Sequence, residues 1–131
     1  TPAFAHGRWS KDRSARMGPL RAGGRVWPGG LGVAAPSILR WSIQGLPFRR
    51  LQGAVAHDDD IFPGQLAAWV SAEIYVDGVQ RFHSGKLTRG DAPRPFDVDV
   101  EGAQTLELFA HDMDGLQYRN LLDWLDVRLE R

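Results

Sequence analysis

The sequence predicts an all-β chain folded as a two-sheet antiparallel β-sandwich of the jelly-roll type, and three observations carry that prediction. Fifteen glycines and eight prolines in 131 residues are more turn formers than a helical domain of this size would hold. From about residue 31 onward the apolar side chains recur with period two, as half-buried strands require. Between two such runs falls Asp77-Gly78, a strong hairpin signal, because both residues accept the positive φ of a type I′ turn.

Residues 1–30 are expected to form an irregular N-terminal wrap. Gly7, Gly18-Pro19, Gly23-Gly24 and Pro28-Gly29-Gly30 interrupt any helix there, and Trp9 and Trp27 are expected to pin the wrap to the body. Leu39, Trp41 and Ile43 then alternate with Arg40 and Ser42, before Gly45 and Pro47 turn the chain. Leu51, Gly53 and Val55 alternate with Arg50, Gln52 and Ala54; Val70, Ala72, Ile74 and Val76 alternate with Trp69, Ser71, Glu73 and Tyr75. After the hairpin turn the chain returns through Val79 to His83 and closes at Ser84-Gly85. Residues 89–95 form a stiff loop, whose Arg89-Gly90-Asp91 tripeptide is too short to carry meaning. Phe96, Val98 and Val100 oppose Asp97, Asp99 and Glu101, and Leu106 and Leu108 take the core parity of the next strand. In the last strand Leu125, Val127 and Leu129 take the core parity and Trp124, Asp126, Arg128 and Glu130 the polar one. About eight strands without a helix bury one face each most simply by packing as two sheets.

Lys plus Arg equals Asp plus Glu at 16 each, so the basic excess of a nucleic-acid binder is missing and that partner class is set aside. The absence of cysteine removes disulfide scaffolds, thiolate metal sites and cysteine nucleophiles. No apolar run approaches the roughly 20 residues of a membrane span. The chain reads as one domain, residues 1–131, cut from a longer multidomain protein whose export signal would lie outside it.

Two polar loops hold the candidate chemistry. His57-Asp58-Asp59-Asp60 groups carboxylates that suit calcium, a hard cation taking about six to eight oxygen ligands, yet the spacing is not that of an EF-hand. A solvated acidic turn explains the run equally well, as does a set of acceptors for sugar hydroxyls. His111 to Asn120 joins two strands and offers amide, carboxylate, phenol and guanidinium groups together, the mixture that polyol recognition needs. The sugar-contact candidates are therefore His57, Asp58 and Asp59 in one loop and His111, Asp112, Gln117, Tyr118 and Asn120 in the other. A structural calcium, if bound, would draw on Asp58, Asp60, Asp112 and Asp114. Trp69, Tyr75 and Trp124 sit on the polar parity, where a ring can stack on a sugar's C–H face; Tyr75 and Trp124 are expected to be covered, which leaves Trp69 as the platform. Catalysis lacks parts: the four histidines are scattered, and neither Gly-x-Ser-x-Gly nor His-Glu-x-x-His occurs, so no enzyme is expected.

Four stretches in order resemble one family. They are Gly30-Leu31-Gly32-Val33-Ala34-Ala35-Pro36-Ser37, Phe48 to Asp59, Ile74-Tyr75-Val76-Asp77-Gly78 with Ser84-Gly85, and Pro95 to Val100 followed by Thr105-Leu106-Glu107-Leu108 and Asp123-Trp124. This pattern, from about Leu20 to Leu129, resembles the NPCBM (NPCBM/NEW2) domain, also classed as carbohydrate-binding module family 51. The resemblance implies a non-catalytic, galactose-binding-domain-like jelly-roll module that binds galactose-type or related glycans and is appended to secreted bacterial enzymes or other exported proteins. It adds Asp123 to the binding candidates. Where the family reads Asp-His-Ala-Asp-Trp, this chain reads Asn120-Leu121-Leu122-Asp123-Trp124, and it has Ala34 where a His is common. The Leu121-Leu122 pair also fits an alternative, a protein-interaction or spacer sandwich that has lost sugar binding.

Overall fold

The structure, a computed structural model, describes residues 2, 4–60, 69–112 and 121–131. No helix occurs among the described residues, which form β1 (Phe4–His6), β2 (Trp9–Lys11), β3 (Leu20–Ala22), β4 (Arg25–Trp27), β5 (Gly30–Ala34), β6 (Ser37–Ser42), β7 (Arg50–His57), β8 (Trp69–Val76), β9 (Val79–His83), β10 (Leu87–Thr88), β11 (Arg94–Asp99), β12 (Thr105–Asp112) and β13 (Leu121–Glu130). Sheet A has the order β1-β6-β12-β8-β10, with β9 also paired to β8, and sheet B the order β11-β7-β13-β5-β2. Successive long strands alternate between the sheets, as in a jelly roll.

The inner faces supply the main core: Leu39, Val70, Ala72, Ile74, Leu106 and Leu108 from sheet A meet Val33, Val55, Phe96, Val98, Leu122 and Trp124 from sheet B. Each large side chain so buried contributes about 1.5–3 kcal/mol. The Asp77-Gly78 hairpin forms as expected, with φ of 50° and 79° at its two turn residues.

Two expectations need correction. The first 30 residues are not irregular. β1 extends sheet A beside β6, β2 extends sheet B beside β5, and β3 and β4 form a hairpin of their own. Leu20 and Ala22 of that hairpin bury Ala56 and Leu125 on the outer face of sheet B, with Trp27 packed at the side. The covering segment comes so close that a Cβ on Gly32 would overlap the Arg13 carbonyl oxygen and lie 2.5 Å from Ser14 Cα.

The parity of β13 is also reversed in its first half. Trp124 is fully buried in the inter-sheet core, its ring edge-on to Phe96 at 5.9 Å, whereas Leu125 faces the opposite way into the smaller cluster. Between Leu125 and Arg128 the register against β7 shifts, and Asp126 takes φ of 49°. This bulge inserts the extra residue that resets the alternation, so Val127 and Leu129 pack again on the main core.

Candidate functional site

Register and connectivity bring the His57–Asp60 run and the strand ends that flank the second polar loop, Asp112 and Leu121, to one end of the sandwich. At that end His57 of β7 pairs with Leu122 of β13, and Leu121 pairs with Ala34 of β5. The short link Ala35–Pro36 carries the chain to β6, whose Ser37 pairs with Ala110 of β12, and Asp112 pairs with Val70 of β8. His57, Asp58, Trp69, His111, Asp112 and Asp123 therefore gather at this end. Gln117, Tyr118, Asn120 and Asp114 lie outside the described residues.

The gathered residues split into two kinds. One kind is built into the body. Asp58 is fully buried; its Oδ1 accepts from the Arg21 backbone N–H at 3.1 Å and its Oδ2 from Asp60 N–H at 2.9 Å. Asp59 binds the same hairpin from outside, its Oδ2 accepting from Gly24 N–H at 2.8 Å while its own N–H donates to Arg21 O at 2.6 Å. The acidic run is thus a clamp for the β3–β4 hairpin. His57 is buried as well, with Nδ1 2.7 Å from the Asp58 carbonyl oxygen, an approach in which Nδ1 carries the proton. The Arg16 guanidinium bonds both oxygens of Asp60 at 3.1 Å. For calcium, then, Asp58 and Asp60 already spend their oxygens on protein donors, and no group of three metal-ligating side chains converges among the described residues.

Asp123 is the most perturbed of these groups. It points to the outer side of sheet B beneath the covering segment, fully buried, and neither oxygen meets a hydrogen-bond donor. Burial, followed by the Asp58 carboxyl and the charge of Asp59, pushes its carboxyl up to about 11. It stays protonated at neutral pH and lies out of a ligand's reach.

The other kind faces outward. His111 is 46% exposed, and Trp69 is half-buried with the Lys86 ammonium 5.6 Å from its ring centroid. Asp112 sits at the boundary, 9% exposed. Leu121 and Leu122, the pair on which the spacer reading leaned, are fully buried and leave no apolar patch at this end of β13.

Sequence reasoning passed over Glu73 and Phe109, which frame His111 on the outer face of sheet A. The Tyr75 hydroxyl donates to Glu73 Oε2 at 2.7 Å, and His111 Nε2 lies 3.2 Å from the same oxygen. Burial alone would raise the Glu73 pKa, but the hydrogen bond from Tyr75 and then the His111 contacts outweigh it and hold Glu73 below its ordinary value. The signal was available in the outward parity of Glu107, Phe109 and His111 along one strand. Tyr75 is half-exposed, since the N-terminal segment covers sheet B instead.

The described residues thus form a two-sheet antiparallel jelly roll with polar side chains gathered at one end, the place where such a frame carries a binding site. The chain belongs to the NPCBM/NEW2 domain family, whose pattern matches residues 3–130. Among solved structures it is similar to the CBM51 domain of Clostridium perfringens GH95 in complex with methyl-galactose, with TM-score 0.86, 24% identity, and coverage of 98% of this chain and 94% of that one. It is also similar to the CBM51-2 and INT domains of C. perfringens ZmpB in complex with GlcNAc (TM-score 0.86, 18% identity, 98% of this chain, 29% of that one). A third similar structure is the M60 catalytic domain of ZmpB with its CBM51-1 and CBM51-2 domains (TM-score 0.87, 23% identity, 99% of this chain, 14% of that one). At these identities the likeness is one of fold. No curated protein sequence matches the chain.

Proposed function

We propose that this domain is a non-catalytic carbohydrate-binding module that takes a terminal galactose-type or related sugar at its loop end and targets an attached enzyme or other exported bacterial protein to glycans. The observation that carries the reading is the family match over residues 3–130, in a fold that gathers His57, Asp58, Trp69, His111 and Asp112 at one end. The similar structures include complexes with methyl-galactose and with GlcNAc, and in ZmpB such domains accompany a catalytic domain. Among the described candidates His111 is exposed and Trp69 half-buried, with ring surface left for a ligand, and Gln117, Tyr118 and Asn120 join them in the proposal. The non-catalytic part of the reading is supported by Asp58 and Asp123, fully buried carboxyls at this end that are kept from a substrate.

Titration calorimetry against methyl-galactose and GlcNAc tests the reading. Saturable heat in the micromolar to millimolar range is expected, since few hydroxyl contacts and one ring supply the binding energy. A flat response to both sugars at millimolar concentration, and across a neutral and acidic glycan array, would falsify it.

A further inference from the structure

Sheet A turns a row of rings toward solvent. Along β12 the outward positions are Glu107, Phe109 and His111; opposite them on β8 stand Tyr75 and Glu73, and opposite Glu107 on β6 stands Arg40. Tyr75 meets Phe109 edge-on with centroids 5.0 Å apart, and Phe109 lies parallel to His111 at 5.9 Å, with planes 16° apart. At about 3.4 Å per residue the row from Glu107 to His111 is about 14 Å long, more than one sugar ring can cover. It ends one residue before Asp112, where the loop end begins.

The polar groups between the rings are already paired and fixed in place. Arg40 Nη2 lies 2.8 Å from Glu107 Oε2. Glu73 accepts from Tyr75 and His111 on one oxygen, and His83 Nε2 stands 3.4 Å from the other. His83 Nδ1 accepts from Gly85 N–H at 2.8 Å, so the His83 proton sits on Nε2 and points at Glu73. A metal at that nitrogen would displace this proton and turn Nδ1–H against the Gly85 donor, so the cluster does not suit a cation. Half-exposed rings interleaved with paired, immobilised polar groups suit instead a neutral polyol, whose C–H faces stack and whose hydroxyls bridge the polar edges.

We propose that the outer face of sheet A continues the loop-end site, holding the inner sugar units of a glycan chain whose terminal unit lies at the loop end, with His111, Phe109 and Tyr75 as successive stacking rings. This rests on the glycan-binding reading above and adds chain-length recognition to it. Longer ligands should bind more tightly than their terminal sugar alone, and the gain should belong to β8 and β12.

The test uses the intact domain with galactose, N-acetyllactosamine and linear galactose-ended tetra- and hexasaccharides of N-acetyllactosamine repeats, followed by calorimetry and by amide chemical-shift mapping. Affinity is expected to rise about tenfold from disaccharide to tetrasaccharide, the worth of one or two ring contacts. The added amide shifts should fall at Glu73 to Tyr75 and Glu107 to His111. Tyr75→Ala should flatten the dependence on chain length, and Tyr75→Phe, which keeps the ring, should retain it. The shift map on the wild-type domain stands even if Tyr75→Ala folds poorly. Equal affinity for all lengths, or added shifts on sheet B, overturns the extended site while leaving the loop-end reading intact; no shift anywhere with any of these sugars overturns both.

Discussion

The two outer faces of this sandwich are built on opposite rules. On sheet B the outward positions of β5 and β7 that lie nearest the loop end include Gly30, Gly32, Ala54 and Ala56, small residues that let a second layer of backbone lie directly on the sheet. Residues 12–27 use that room, and their hairpin buries Leu20, Ala22 and Leu125 into a satellite core. On sheet A the outward positions of β8 and β12 are Glu73, Tyr75, Glu107, Phe109 and His111, large side chains that fill the space above the strands themselves. One face is spent on holding the chain together, and the other is left to meet something else. Small outward residues thus mark where a protein covers itself, and rings with paired charges mark where it does not.

If sheet B's outer face is interior, Asp123 beneath the covering segment should behave as an interior group. Asp123 has its folded pKa raised from 3.8 to about 11, so its contribution to stability is fully present below pH 3.8 and is lost progressively as pH rises through that window. Keeping the proton at pH 7 costs up to about 4 kcal/mol relative to an unfolded chain that releases it. Asp123→Asn removes that cost. The variant should be more stable than the parent at pH 7, with a gain that grows toward pH 9 and vanishes near pH 3.5. Urea midpoints across this range measure it, and a variant no more stable at pH 7 than at pH 3.5 would place Asp123 in contact with water.

A second break in the same face is steric. Gly32→Ala puts a Cβ into the Arg13 carbonyl oxygen and against Ser14 Cα, both backbone atoms that cannot swing aside. The segment must lift, at a cost of about 3 kcal/mol. Amide exchange should quicken across residues 12–27 while β8 and β12 keep their protection. Uniform loss of protection would mean that the covering layer and the sandwich form one cooperative unit.

The legible parts of this molecule are the local ones. Phe96, Val98 and Val100 announce a strand, and Asp77-Gly78 a hairpin, because period and turn chemistry act within a few residues. The reversal at Trp124 was hidden, because the bulge that causes it sits on Asp126, a residue with no glycine to mark its positive φ. Asp58 and Asp59 read as a solvated or ligand-binding run because their true partners, the N–H groups of Arg21 and Gly24, lie more than 30 residues away and carry no side-chain signature. Gly32 was legible in retrospect: a glycine in a strand without positive φ signals another backbone close by. Asp123 gave no warning, since the segment that covers it is remote in sequence and the bulge at Asp126 hides the parity of its half of the strand. The site was therefore legible by location, at the loop end, and illegible in its division between buried clamp and exposed contact.

The smallest effect is expected on sheet A, and its smallness is what the comparison demands. Glu73 has its pKa lowered from 4.5: burial opposes this, while the Tyr75 hydroxyl, His111 and His83 stabilise the carboxylate. A depressed carboxylate contributes stability above its unfolded pKa and loses it as pH falls through the folded value. Because Glu73 stands at the surface among half-exposed partners, solvent screening holds that contribution to about 0.5 kcal/mol. Glu73→Gln keeps the side chain's shape and an acceptor for Tyr75, so it should lower stability by about that amount at pH 7, an effect that fades as pH falls below 4.5 through the lowered folded value. Thermal melts of parent and variant at pH 7 and pH 4 decide the matter. A loss of several kcal/mol at pH 7 would mean that the Tyr75–Glu73–His111 network supports the fold as the hairpin supports sheet B, and that the outer face of sheet A is no more available to a ligand than the face already covered.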